Sequence, residues 1–376
     1  MRNPFPFRIL CVFSLLAVFA SAQRPPQRPP STDSPEVHPD RRITFRLRAP
    51  DVKEVSLQAP WAGEDKPMAK GEDGVWSVTI GPIEPDVLSY AYLVDGVRNI
   101  DPHNPRVKLW EGGAASLVEV PAPGGAFYDL KDVPHGDLHI HWYESESLGK
   151  LRPVYIYTPP GYVENEDRIY PTLYLFHGSG DNESTWSQLG YANLILDNLI
   201  AEGKAKPMVV VMPNGHPVPR GGSGPESFRK NGEAFRRDVV QDLMPFIESR
   251  YRVSRDRGLR AITGLSMGGM QSVDVGLGHT GLFSQVGSFS SAVGQPGSDA
   301  TLQAFVADPV KANKDVPLLW IAIGKKDFLV KPNEVFIKFL DEHGINYTFR
   351  LTEGDHSWPV WRRYLHEFVP LLFRNE

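Results

Sequence analysis

The sequence predicts an α/β protein with a mainly parallel central sheet, preceded by a small all-β, immunoglobulin-like sandwich. Two observations carry that class. Over residues 37–120 apolar and polar residues alternate in short runs broken by Gly, Pro and Asp-Gly, the pattern of half-buried strands joined by tight turns. Over residues 130–376 short apolar runs instead alternate with longer stretches of helical spacing, which implies parallel strands wrapped by helices. The two patterns meet at "PAPGGAF" (121–127), so residues 121–129 read as a linker.

In chain order, residues 1–22 read as an export signal. Arg2 and Arg8 flank the start of "ILCVFSLLAVFA", and "ASA" at 20–22 fits a cleavage site before Gln23. The apolar run is too short for a stable bilayer span, which needs roughly 20 residues. Cys11 is the only cysteine and lies inside that run, so the exported chain, secreted or periplasmic, is expected to be free of disulfides. Residues 23–36, "QRPPQRPPSTDSPE", are Pro-rich with almost no apolar content and read as a linker. "RITFRLRAP", "EVSLQAP", "GVWSVTIGP" and "LSYAYLVDGV" follow as strands of the sandwich. Beyond the linker, "LRPVYIYTP", "YPTLYLFHG" and the fully apolar "PMVVVMPNG" are strands, with a helix in "YANLILDNLIAEGK". A helix in "FRRDVVQDLMPFIESRY", the strand "RAITGL" and a helix from about Gly268 come next. The strand "PLLWIAIG", the helix "NEVFIKFLDEHG", the strand "NYTFRLTEG" and a helix from about Pro359 close the chain.

Composition narrows the function. At 41% apolar and 23% charged residues, the chain has the make-up of an ordinary globular protein. Its 40 basic and 45 acidic residues leave a net charge of −5. That balance gives no electrostatic footprint for nucleic acid, and none for a membrane surface after signal cleavage.

"AITGLSMGGM" (261–270) places Ser266 in a Gly-x-Ser-x-Gly frame between a strand and a helix. Gly264 and Gly268 suit a turn too sharp for a β-carbon, and such a turn lifts a nucleophilic serine above the sheet edge. In the chain order of α/β-hydrolases the acid and then the histidine follow the serine. Of the histidines downstream, His279, His343 and His366 fall in or at the ends of helices, whereas His356 in "TEGDHSWP" follows a strand. His356 is therefore the expected base. Asp327 in "AIGKKDFLV" sits just beyond a buried strand and is preferred as the acid over Asp355 and Asp299. Oxyanion donors are expected from the backbone N–H of Met267, at the helix start, and of Ser179 in "HGSG" (177–180), with Gly178 as the alternative. His177 reads as a brace for that loop.

Trp186 and Trp358 lie near these segments in sequence and could flank a substrate ring, although core packing is an equal alternative. "GHPVPRGGSGPESFRKNG" (215–232) reads as a long loop, a lid or substrate wall. His139 and His141 share one strand face, but no further ligand is spaced to complete a metal site, so no metal and no cofactor are expected. Trp61, Trp76 and Trp110 could stack on sugar, Trp76 being better placed to fill the sandwich core. The β segment is expected to be an accessory to the chemistry, few contacts crossing the joint. "NPRVKLWEGG" (104–113) is the stretch that could reach the cleft.

"VYIYTPPGY", "LYLFHGSGDNESTW", "MVVVMPNGH", "AITGLSMGGM", "GKKDFLV" and "GDHSWPVWRRYLHEF", in that order, together resemble the family 1 carbohydrate esterases, the feruloyl and acetyl-xylan esterases related to esterase D and enterochelin esterases. The resemblance covers about residues 130–376. It implies an α/β-hydrolase fold and Ser266, Asp327 and His356 as the triad. The first segment resembles the early-set β-sandwiches related to family 48 carbohydrate-binding modules. Together these readings give the expectation of a secreted serine esterase without cofactor, acting on feruloyl or acetyl esters of xylan. Two alternatives stand beside it: hydrolysis of a siderophore or other small ester on the same triad, and a non-catalytic carbohydrate-binding protein that has kept the fold.

Overall fold

A computed structural model describes residues 32–218, 225–291 and 293–374; the expected signal segment and the start of the Pro-rich stretch lie outside the described residues. The α/β class is as the sequence predicts. The central sheet is formed by β1 (Asp137–Ser145), β2 (Lys150–Thr158), β3 (Thr172–Phe176), β4 (Val209–Pro213), β5 (Arg260–Gly264), β6 (Gln285–Phe289), β7 (Leu318–Gly324) and β8 (Thr348–Thr352), in the spatial order 1-2-4-3-5-6-7-8. The β1–β2 and β2–β4 pairs are antiparallel and the other pairs are parallel.

Every residue of β3, β4, β5 and β6 is buried, because helices cover both faces there. Alternate residues of β3 serve the two sides. Tyr174 and Phe176 join a core with Phe235, Leu243, Val273 and Phe336. Leu173 and Leu175 join one with Ile195, Leu196, Trp361 and Phe368. Val209, Val210 and Val211 are wholly buried, each contributing about 1.5–3 kcal/mol of burial free energy.

The N-terminal part is a pair of antiparallel sheets. Ile43–Arg48 pairs with Val75–Ile80 in one, and Asp86–Val94 pairs with Val55–Gln58 and Gly113–Val120 in the other. Ile43, Phe45 and Leu47 from the first meet Leu57, Tyr90 and Val118 from the second in a single core. Trp76 is 7% exposed and donates from Nε1 to the Ala49 carbonyl at 2.8 Å, so it fills this core.

Four local expectations need correction. The stretch expected as one helix over 235–251 is a helix Pro225–Arg237, a π-helical segment Asp238–Leu243 and a further helix Met244–Arg250. Pro245 supplies the reason, since its ring cannot sit in a regular turn and a widened one relieves the clash. The long loop over 215–232 is therefore helical from Pro225 onward. The Pro-rich stretch is not loose to residue 36, because Ser34 is buried on Tyr92 (2.8 Å) and Glu36–Val37 is a strand. The 121–129 joint is packed as well, with Asn198 Nδ2 donating to the carbonyls of Phe127 (2.9 Å) and Asp129 (3.0 Å).

The expectation that few contacts cross between the two parts fails most clearly. Val87, Leu117 and Tyr128 belong to the same core as Trp186 and Trp361. Arg362, wholly buried, donates to Asp86 and to the carbonyls of Val87 (3.1 Å) and Leu189 (2.5 Å). A side chain with five fixed donors takes acceptors wherever the packing supplies them, and here they lie in both parts. Among the described residues no helix is long and apolar enough to cross a membrane.

Candidate active site

The nucleophile turn is built by steric necessity. Ser266 sits between β5 and the helix Met267–Gly278 with φ 53° and ψ −114°, a conformation that costs a non-glycine residue about 1–3 kcal/mol. A β-carbon on Gly264 would lie 2.6 Å from the Gly268 carbonyl carbon, and one on Gly268 would lie 2.5 Å from the His177 carbonyl oxygen. Only glycine fits either position, and the turn is held by Ser266 N–H donating to the Phe289 carbonyl at 2.8 Å.

The structure brings Ser266, His356 and Asp327 together. Ser266 Oγ lies 3.0 Å from His356 Nε2, and His356 Nδ1 lies 2.8 Å from Asp327 Oδ2. Asp327 is 2% exposed and also accepts from Leu329 N–H at 2.8 Å. Burial alone would raise its carboxyl, but the hydrogen bonds from His356 and Leu329 outweigh it and hold Asp327 below the usual carboxylate range. An ionised Asp327 assigns the ring proton to Nδ1 and leaves Nε2 to accept from the serine hydroxyl. Asp299 and Asp355 are engaged elsewhere. Asp299 caps the helix Ala300–Val306 by accepting from Leu302 N–H, and Asp355 accepts from the Ser357 hydroxyl.

The loop after β3 stands against the nucleophile: a β-carbon on Gly178 would lie 3.5 Å from that of Ser266. Gly180 N–H donates to His216 Nε2 (3.0 Å) and Asp181 N–H to the Gly178 carbonyl (3.2 Å). Those bonds commit the N–H groups of Gly180 and Asp181 within the turn. Met267 is the first residue of its helix, so its N–H has no intrahelical acceptor. His177 braces the loop from beneath, donating from Nδ1 to the Gly178 carbonyl (2.8 Å) and accepting at Nε2 from Gly215 N–H (2.7 Å). Burial pushes its pKa down to about 3, so it stays neutral and can play both roles.

The two tryptophans do not flank a substrate site. Trp186 is 1% exposed and donates to the Phe176 carbonyl at 2.9 Å, and Trp358 packs edge-on against it at 5.0 Å, itself 9% exposed. Both are core residues that support the loops carrying the site. The sequence reading missed Phe328, which is 73% exposed with its ring 4.5 Å from that of His356, and Trp361, whose ring meets that of His356 edge-on at 4.9 Å. An apolar residue directly after the acid strand in "GKKDFLV" was the one available signal for Phe328. His139 and His141 bond Thr158 (2.9 Å) and Tyr251 (2.7 Å), and among the described residues no group of three or more metal-ligating side chains forms. A cleft of about 670 Å³ runs along the helix that follows the serine, lined by Met267, Met270, Val293 and Leu302 with Arg236 and Asp274.

With this geometry in view, the similarities are informative. Residues 145–372 match the family model described as a putative esterase. An endo-1,4-beta-xylanase/feruloyl esterase of Xylanibacter ruminicola is 32% identical over 361 residues, 93% of this chain and 47% of that protein. The chain thus spans about half the length of that relative. A solved ferulic acid esterase superposes with a TM-score of 0.57 at 25% identity, covering 64% of this chain and 98% of that one. The enterobactin esterase of Shigella flexneri superposes with a TM-score of 0.65 at 19% identity, over 89% of this chain and 93% of that one, a likeness of fold.

Proposed function

The chain belongs to the esterase family, and from that premise we propose that it is a serine esterase cleaving feruloyl or acetyl esters on xylan-type polysaccharide. One observation carries the reading: a single imidazole hydrogen-bonds Ser266 Oγ at 3.0 Å through Nε2 and the buried Asp327 at 2.8 Å through Nδ1. Ser266 Oγ attacks the ester carbonyl as its proton passes to His356 Nε2. Asp327 stabilises the imidazolium, and the N–H groups of Met267 and Ser179 take the charge on the carbonyl oxygen. His356 then protonates the departing sugar alkoxide, leaving an acyl-serine. Water repeats the sequence in reverse roles and releases the carboxylic acid.

The strain at Ser266 supports this reading, since a left-handed serine persists only where its surroundings impose it. The apolar cleft beside Met267 suits an acyl group, and the relatives named for feruloyl ester cleavage favour an aromatic one. Export of the chain, cleavage after residue 22 and a division into a sandwich over 37–120 and an esterase unit over 130–376 belong to the same proposal. They rest on the sequence of the N-terminal segment and on the change of pattern near residue 121.

The test is release of product from methyl ferulate, acetylated xylan and a catecholate triester, measured side by side with wild type and Ser266→Ala. Release from either of the first two, abolished in the variant, is expected. Cleavage of the triester alone would turn the reading to a siderophore esterase. Cleavage of none of them would leave a carbohydrate-binding protein with a hydrolase fold.

A further inference from the structure

The turn proposed to hold the oxyanion is fastened from outside the α/β unit. Lys108 lies in the sandwich strand Val107–Trp110, and its Nζ is 2.6 Å from Asp181 Oδ1, each side chain being 10% exposed. Glu111 N–H donates to the Gly180 carbonyl at 2.8 Å, and Asn182 Nδ2 donates to the Leu109 carbonyl at 3.2 Å. The same ammonium stands 5.9 Å from the ring of Trp358 and 5.5 Å from that of Trp110. Trp358 is two residues from His356. One lysine of the sandwich thus meets both the loop that abuts the nucleophile and Trp358, the first residue of the helix that begins just after the base.

We propose that Lys108 is a positioning residue of the active site, which fixes the 178–182 turn through Asp181 and, through Trp358, the helix start that ends the His356 loop. The sandwich is then a working part of the ester-cleaving centre. This inference rests on the roles assigned above to Ser266, His356 and Asp327.

A buried ion pair is a weak source of stability, since desolvation offsets most of the attraction and an apolar pair of similar size does as well. What such a pair supplies is direction. Asp181 closes the turn by donating from its N–H to the Gly178 carbonyl at 3.2 Å, so anchoring its carboxylate fixes Gly178 and Ser179 between two held ends. Gly180, at φ +84°, bends the chain where another residue would be strained. His216 accepts the Gly180 N–H at 3.0 Å, so the turn is held from the α/β unit as well as from the sandwich. Burial raises the Asp181 carboxyl while Lys108 works against it. Without the lysine that buried carboxylate must take up a proton or turn toward water, and either moves the turn. A shift of about 1 Å at a donor aimed at the developing oxyanion costs on the order of 100-fold in rate.

The test uses the full chain and a small soluble aryl ester, so that polysaccharide binding plays no part. Wild type, Ser266→Ala, Lys108→Met and the double variant Lys108→Met/Asp181→Leu are compared for kcat, KM and melting temperature. The double variant leaves no buried charge unpaired and is the deciding protein if the single one folds poorly. Expected is a fall in kcat of about tenfold or more with KM within about threefold, because the interaction lost exists only in the transition state. A smaller fall in kcat, or a rise in KM with kcat kept, would overturn the positioning role while leaving the esterase reading intact. Absence of Ser266-dependent hydrolysis in wild type would overturn the esterase reading itself.

Discussion

Arg362→Met should destabilise the protein by about 3 kcal/mol. The side chain is 0% exposed and the partner carboxylate of Asp86 is 18% exposed. Methionine keeps the unbranched stem, so the core loses little volume and the effect is mainly that of the missing guanidinium. Three acceptors lose the guanidinium at once: the carbonyls of Val87 and Leu189, and Asp86, which among the described residues keeps only the Val87 N–H at 2.7 Å. Removing one partner of a buried pair costs about 3–5 kcal/mol, and the residual access of water to Asp86 puts this case near the lower end. Against a total stability of about 5–15 kcal/mol, the loss shows clearly as a lower midpoint in urea unfolding followed by tryptophan fluorescence. Adding Asp86→Asn should recover at least half of it, because the orphaned charge is gone. A loss below about 1 kcal/mol for Arg362→Met would refute the claim that this arginine ties the sandwich to the α/β unit.

Gly268→Ala, whose β-carbon would meet the His177 and Phe176 carbonyls at 2.5 and 2.6 Å, should destabilise by about 1–3 kcal/mol and lose most ester hydrolysis. Gly281→Ala, with open space around it, is the control and should change neither kcat nor melting temperature. Asp327→Asn should lower kcat by about 10³–10⁴-fold with little change in melting temperature, read by steady-state kinetics and thermal unfolding together. Acid should weaken the fold through His177. The unfolded chain protonates this residue near 6.5 and the folded one near 3, so stability is lost as pH falls through that window. Denaturant titration at pH 4.5 should show a loss of about 2–3 kcal/mol relative to neutral pH from this residue, and His177→Gln should flatten the dependence.

The parts of the fold and site that were legible in the sequence are those with local signatures. The fully apolar "PMVVVMPNG" and the Gly-x-Ser-x-Gly frame each state their own geometry, because burial on both faces and a turn without β-carbons leave few residue choices. His356 and Asp327 could be singled out because each follows a strand, and strand ends of a parallel sheet share one edge. The misses are residues whose role depends on distant partners. Arg362 and Asp86 are 276 positions apart, and nothing local distinguishes Arg362 from its exposed neighbour Arg363. Lys108 reads as an ordinary strand lysine until Asp181 and Trp358 are folded against it. Trp186 and Trp358 stayed open between substrate wall and core for a related reason: an indole beside a catalytic segment carries no mark of which way it faces. The helices Ala300–Val306 and Pro309–Asp315 also escaped, being too short for a periodic pattern to emerge.

Activation of Ser266 by His356 can be read out by labelling with a fluorophosphonate followed by peptide mass spectrometry. An ordinary serine hydroxyl is inert to such a reagent, whereas one hydrogen-bonded to a base and facing an oxyanion site reacts. One label per chain is expected, on the peptide carrying Ser266, absent in Ser266→Ala and slowed by about 10³-fold or more in His356→Ala. Folded protein that takes no label, or takes it on another serine, would contradict it.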